Sequence, residues 1–163
     1  MTQVAVRVAD DSPAAADFRE LLVEYFAYLA LVWPRPRLER WQREVDGLPG
    51  SFARPDGRML VAYHGDRPAG IVAVLGQEDG ACEVKRLYVR PEFRRRGVSR
   101  ALMTSALSEA AEAGYTVMRL GTSPAFAEAI ALYESLGFEH VSQFRDGFHD
   151  DSVFMSRALE RED

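Results

Sequence analysis

The chain has 163 residues, close to half of them apolar, which suffices for one domain with a sizeable core and gives no reason to expect a second. Its net charge of −5 argues against a surface built for nucleic acid, and its single cysteine, Cys82, excludes an intrachain disulfide or a cysteine-built metal site. No stretch reaches the roughly eighteen apolar residues of a membrane span, and the opening MTQVAVRVADD lacks the apolar core of a signal peptide, so a cytoplasmic protein with no membrane partner is expected.

Val4, Val6 and Val8 alternate with polar or small residues and predict a first strand. Ser12-Pro13 is a helix-start signal, and Phe18, Leu21, Leu22, Tyr25 and Leu29 follow at helical spacing until Trp33-Pro34-Arg35-Pro36 stops the helix. Leu38, Trp41, Val45 and Leu48 predict a second helix ending at Pro49-Gly50. Met59 to His64, Ala69 to Leu75 and Cys82 to Val89 read as three strands joined by the short turns Gly65-Asp66-Arg67-Pro68 and Gln77-Glu78-Asp79-Gly80, which makes an antiparallel meander. Pro91 ends the third of these, and a helix runs from Val98 to the stop at Gly114. Tyr115 to Leu120 is a strand, Ser123-Pro124 repeats the helix-start signal, and Gly137 suits the end of that helix. Phe138 to Ser142 and Val153 to Leu159 close the chain as a strand pair, with a polar link expected to be a solvated loop between them. The pattern predicts an α+β domain over residues 1–163, with a mostly antiparallel sheet of about six to seven strands and about four helices.

The junction between the third meander strand and its helix carries the chemistry. Between Lys85 and Arg100 there are seven basic residues against one acid, Glu92, giving this stretch +6 and leaving −11 for the rest of the chain. A glycine, Gly97, opens the helix, where the first amides lack intrahelical partners and the helix dipole is positive. Such a concentration against an acidic background predicts one polyanionic ligand, a phosphate or pyrophosphate, rather than nucleic acid. A solvated run of arginines is the plainer alternative. Nineteen of the twenty basic residues are arginine, and Lys85 is the sole lysine.

The run Leu87-Tyr88-Val89-x-Pro91-Glu92-Phe93-Arg94-Arg95-Arg96-Gly97-x-Ser99, followed about thirty residues on by Ala129-x-x-Leu132-Tyr133-x-x-Leu136-Gly137-Phe138, resembles the GCN5-related N-acetyltransferases. The resemblance covers roughly Val4 to Leu159 and departs from the pattern Arg/Gln-x-x-Gly-x-Gly/Ala at Ser99. It implies the acyl-CoA N-acyltransferase fold and acetyl-CoA as acyl donor. Backbone groups of Leu87 and Val89, with Tyr88 between them, would hold the pantetheine arm as an added strand. Arg94, Arg95, Arg96, Gly97, Val98, Ser99 and Arg100 would hold the pyrophosphate, and Ser123 would border the same gap. Many relatives pair through their C-terminal strands, which makes a homodimer an expectation.

Acetyl transfer to an amine needs a neutral nucleophile and a protonated leaving thiolate. An alkylamine of pKa about 10.4 is roughly one part in a thousand neutral at pH 7, a cost of about 4 kcal/mol that a general base offsets. Glu83 lies fourteen residues before Gly97, as the base glutamate does in histone-acetylating relatives, and is the candidate base. Pairing with a neighbouring arginine is its alternative, and some relatives use a water chain. Tyr133 stands at the family's general-acid position, although a core tyrosine would look the same. His64, His140 and His149 form no metal-binding spacing, so no metal is expected. The expected activity is acetyl transfer from acetyl-CoA to a primary amine of a small molecule or peptide in a ternary complex. The alternative is an acyl-CoA-binding sensor with little or no transferase activity. The −11 outside the arginine stretch inclines the acceptor towards a cationic amine.

Overall fold

The computed structural model describes residues 3–11 and 13–160. Seven strands, β1 (Val4–Val8), β2 (Arg58–His64), β3 (Arg67–Gly76), β4 (Ala81–Val89), β5 (Val117–Thr122), β6 (Glu139–Val141) and β7 (Val153–Ala158), form one sheet in the order β1-β2-β3-β4-β5-β7-β6. Every neighbouring pair is antiparallel except β4 and β5. A parallel pair needs a long crossover, and the helix α3 (Val98–Glu112) supplies it.

Two cores cover the sheet. In β2 alternate residues serve opposite faces: Met59 and Val61 lie with α1 (Ala14–Val32) and α2 (Leu38–Asp46), whereas Leu60 and Ala62 lie with α3. That is why β2 and β3 read as nearly unbroken apolar runs. Phe18, Leu21, Leu22 and Leu29 of α1 are fully buried at helical spacing, and the Trp41 ring of α2 stacks on Phe26 with centroids 5.1 Å apart. On the other face Leu102, Met103, Ala106 and Ala110 bury the inner stripe of α3, and the fourth helix, α4 (Ala127–Ser135), adds Tyr133.

The expected start signal at Ser12 lies outside the described residues; α1 begins at Ala14, after Pro13. Ser123-Pro124 forms a turn ahead of α4 rather than its cap: the Ser123 hydroxyl accepts the Ala125 N–H at 3.2 Å, and the helix proper starts at Ala127. Strand β6 is only three residues long. The link 142–152 is not the solvated loop its polar composition suggests. Phe144 and Phe148 pack edge-on against Phe154 of β7, and the His149 ring meets Trp33 edge-on at 4.8 Å. Among the described residues no helix is long and apolar enough to cross a membrane.

One irregularity positions the site. Across β3 and β4, Ile71 faces Tyr88 and Ala73 faces Lys85, so Val72 stands opposite both Arg86 and Leu87. The extra residue is a bulge, and Arg86 takes φ +63° to accommodate it. A bulge bends and twists the strand that carries it. Accordingly β4 pairs with β5 only over Ala81–Glu83 and Val117–Arg119, and beyond that point the two strands part.

Candidate active site

The mouth of this gap adjoins the N-terminus of α3. Gly97 precedes the helix in the left-handed region at φ +78°, and its carbonyl accepts the first helical bond, from Ala101 N–H at 3.0 Å. The amides of Val98, Ser99 and Arg100 thus have no intrahelical acceptor, and the first turn contains no acidic residue. Arg94, Arg95, Arg96 and Gly97 are all exposed around them, with Arg95 at φ +63°. Convergent amides, a helix dipole and exposed guanidinium groups make a receptor for a multiply charged anion. A Cβ at Gly97 would meet open space, so the demand for glycine here comes from the backbone angle.

The structure divides the basic stretch that the sequence presents as one unit. Arg94, Arg95, Arg96 and Arg100 stay near the helix start. Arg90 turns away to Glu24 at 2.6 Å and Glu20 at 3.2 Å, and Arg86 is held by Glu44 through two bonds of 2.8 Å. Arg100 donates to the Ser135 hydroxyl at 2.9 Å, tying α3 to α4. The reading of +6 aimed at one ligand is therefore corrected: secondary structure turns part of that charge to other faces.

Leu87 and Val89 lie where β4 has no partner strand on its β5 side. The Val89 carbonyl accepts the Arg94 Nε–H at 3.2 Å, so this main-chain group already engages the loop that leads to α3. Both side chains pack into the α3 core, whereas Tyr88 points to the opposite face, against Tyr25 at 5.6 Å. Tyr133 is buried, and its hydroxyl has no hydrogen-bond partner among the described residues. Burial, with Tyr25 nearby adding to it, pushes the Tyr133 phenol well above its ordinary pKa, so it keeps its proton throughout the neutral range. Tyr25 belongs to α1 and Tyr133 to α4, on opposite sides of the sheet.

The wall on the α1 and α2 side is lined by charge. Glu83 is almost fully buried and accepts two bonds of 2.8 Å from Arg145 and one of 2.7 Å from the Gln77 amide. One acceptor position on its Oε2 stays free. Arg145 comes from the link 142–152, a partner sixty-two residues away that sequence spacing could not indicate. Its guanidinium also covers the Phe148 ring at 4.2 Å, and Phe148 lies against Gly121, where any side chain would collide with it. Beside Glu83, the Cys82 thiol is pushed up to about 12, chiefly by burial, and so offers no thiolate nucleophile at neutral pH. Among the described residues no group of three or more metal-ligating side chains comes together.

Comparison with known proteins agrees with this geometry. The profile described as the acetyltransferase (GNAT) family matches residues 15–138. The chain is similar to an uncharacterized N-acetyltransferase, YjgM, of Escherichia coli, at 38% identity over 60% of this chain and 60% of that one. It is also similar to an IAA acetyltransferase of Azospirillum brasilense, at 31% identity over 94% of this chain and 98% of that one. Among solved structures, a GNAT-family acetyltransferase from Staphylococcus aureus superposes with a TM-score of 0.78 at 16% identity, over 96% of this chain and all of the other. The PaiA N-acetyltransferase of Thermoplasma acidophilum, solved in complex with coenzyme A, superposes with a TM-score of 0.72 at 17% identity, over 95% of this chain and 99% of that one. With the family profile matching three quarters of it and a relative aligned over nearly its whole length, the chain belongs to the acetyltransferase (GNAT) family and is, by that membership, an acyltransferase.

Proposed function

We propose that the protein transfers the acetyl group of acetyl-CoA to a primary amine of a small-molecule or peptide acceptor, by direct attack in a ternary complex. The observation that carries this reading is the set of unpaired amides at Val98, Ser99 and Arg100, placed at the mouth of the gap between β4 and β5. The diphosphate of the donor would sit on those amides with Arg94, Arg95 and Arg96 around it. Its pantetheine arm would run along the free edge of β4 at Leu87 and Val89, supplying the strand that β5 does not, with Ser123 near the far rim. The coenzyme A complex of the Thermoplasma relative supports the choice of donor.

At the inner end of the gap the amine attacks the thioester carbonyl from the α1 and α2 side. Its nitrogen forms the amide bond as the carbon–sulfur bond breaks, and a backbone amide of the bulge would receive the developing oxyanion. Tyr133, protonated throughout the neutral range, would then give its phenolic proton to the departing thiolate. Glu83 would take the amine's proton through the free acceptor position of Oε2, directly or across one water, in competition with Arg145. The test is free-thiol release from acetyl-CoA with a panel of primary amines. At least one amine should raise release above the hydrolytic background and appear as its acetamide by mass spectrometry. Tight binding of acetyl-CoA with no release for any amine would instead identify an acyl-CoA sensor.

A further inference from the structure

Four cationic side chains stand on the acceptor side of the parted strands: Lys85 and Arg86 on β4, Arg119 on β5 and Arg145 on the link 142–152. Two are already neutralised. Arg86 is clamped by Glu44 and Arg145 by Glu83, each through paired bonds of 2.8 Å. Arg119 lies over the Phe144 ring at 5.7 Å. Lys85 has neither a hydrogen bond nor an ion pair with any described residue, although it sits between the two clamped arginines. It is half-buried on the α1 and α2 face of the sheet, opposite Ala73, and its nitrogen is not among the sealed, unpartnered polar atoms, so it stays accessible to a ligand on that face.

We propose that Lys85 seats an anionic group of the acceptor, and that the acceptor is therefore an amine whose own skeleton carries a carboxylate. This rests on the transferase reading above and narrows its substrate class. A half-buried ammonium beside two guanidinium groups is costly unless an anion shares its surroundings, and Glu44 and Glu83 are already committed. One surplus ammonium matches one carboxylate. The same crowding appears in its acidity: Lys85 is pushed down to about 8, first by burial, then by Arg86 and Arg145, with Glu83 and Glu44 opposing. Net charge alone inclines the acceptor towards a cation, whereas the placement of these side chains favours an amine that also carries a carboxylate.

Because Lys85 is the only lysine, protein labelled with [13Cε]lysine gives one side-chain signal whose pH titration reports this group alone. The experiment follows that titration on the coenzyme A-saturated protein, alone and with the standard amino acids, their carboxamides, their decarboxylated amines and inorganic phosphate. At least one amino acid should raise the midpoint by about one unit, a tenfold preference for the charged lysine, while its carboxamide does not. Lys85→Met should then raise KM for that amino acid about tenfold or more, and Lys85→Arg should recover part of the loss. The proposal is overturned if no amino acid moves the midpoint, or if the carboxamide or phosphate moves it as far. Thiol release that fails with every amine would overturn the transferase reading separately, since the lysine signal is read without turnover.

Discussion

Tyr133, as proton donor, and Lys85, as seat for the acceptor, each behave as their surroundings dictate. Tyr133 is buried with an unpartnered hydroxyl, so removing that hydroxyl should leave packing intact while removing the proton donor. Tyr133→Phe is expected to lower kcat by about 10²-fold with acetyl-CoA affinity unchanged, as steady-state rates and calorimetry would register. Lys85 titrates near 8 in the folded chain against an ordinary 10.5. Between those values the unfolded chain holds the proton and the native one has released it, so this residue's contribution to stability rises with pH through that window and is lost below it. Lys85→Met should accordingly stabilise the protein at pH 7 by roughly 1–3 kcal/mol in urea unfolding, with the gain shrinking towards pH 10.5. Tyr133 could be singled out in the sequence because its neighbours form a local motif. The partner of Glu83 was not, because Arg145 arrives from a distant link whose aromatic anchors, Phe144 and Phe148, were hidden among polar residues.

At the scale of elements, the bulge in β4, the start of α3 and the link 142–152 shape the site. Gly97→Val would force a β-branched residue to φ +78°, at a cost of roughly 1–2 kcal/mol, and would disturb the amides that follow. Its acetyl-CoA affinity should fall about tenfold or more, whereas Gly97→Asn, which tolerates left-handed backbone, should lose less. Arg145→Ala strips the cation from a Glu83 carboxylate that is 2% exposed and releases the link from the wall. Unfolding in urea should show a loss of roughly 2–4 kcal/mol at neutral pH, and hydrogen exchange should quicken across residues 142–152. Apolar runs bounded by turn residues announced the meander, and Gly97 and Gly114 marked the limits of α3. The bulge had no such signal, since the unbroken run from Cys82 to Val89 reads equally well as a regular strand and only the pairing with β3 exposes the extra residue.

For the molecule as a whole, the α+β class and the mostly antiparallel sheet follow from patterns that the chain displays openly, whereas the order β5-β7-β6 and the parallel pairing of β4 with β5 emerge only in the structure. The distribution of its charge likewise emerges only there, because net charge has no positions until the strands alternate and the helices turn. The +6 stretch illustrates this: four of its arginines stay by the α3 start, while Lys85, Arg86 and Arg90 serve other faces. What unites the parts is the claim that the α3 amides grip the donor's diphosphate while the free edge of β4 takes its arm. Calorimetric titration with acetyl-CoA, and with S-acetylpantetheine, which lacks the diphosphate and nucleotide, tests that claim most directly. The account predicts saturable binding of acetyl-CoA that weakens as salt rises, with S-acetylpantetheine bound at least about a hundredfold more weakly. Equal affinity for the two, or no heat with acetyl-CoA at millimolar concentration, would contradict it.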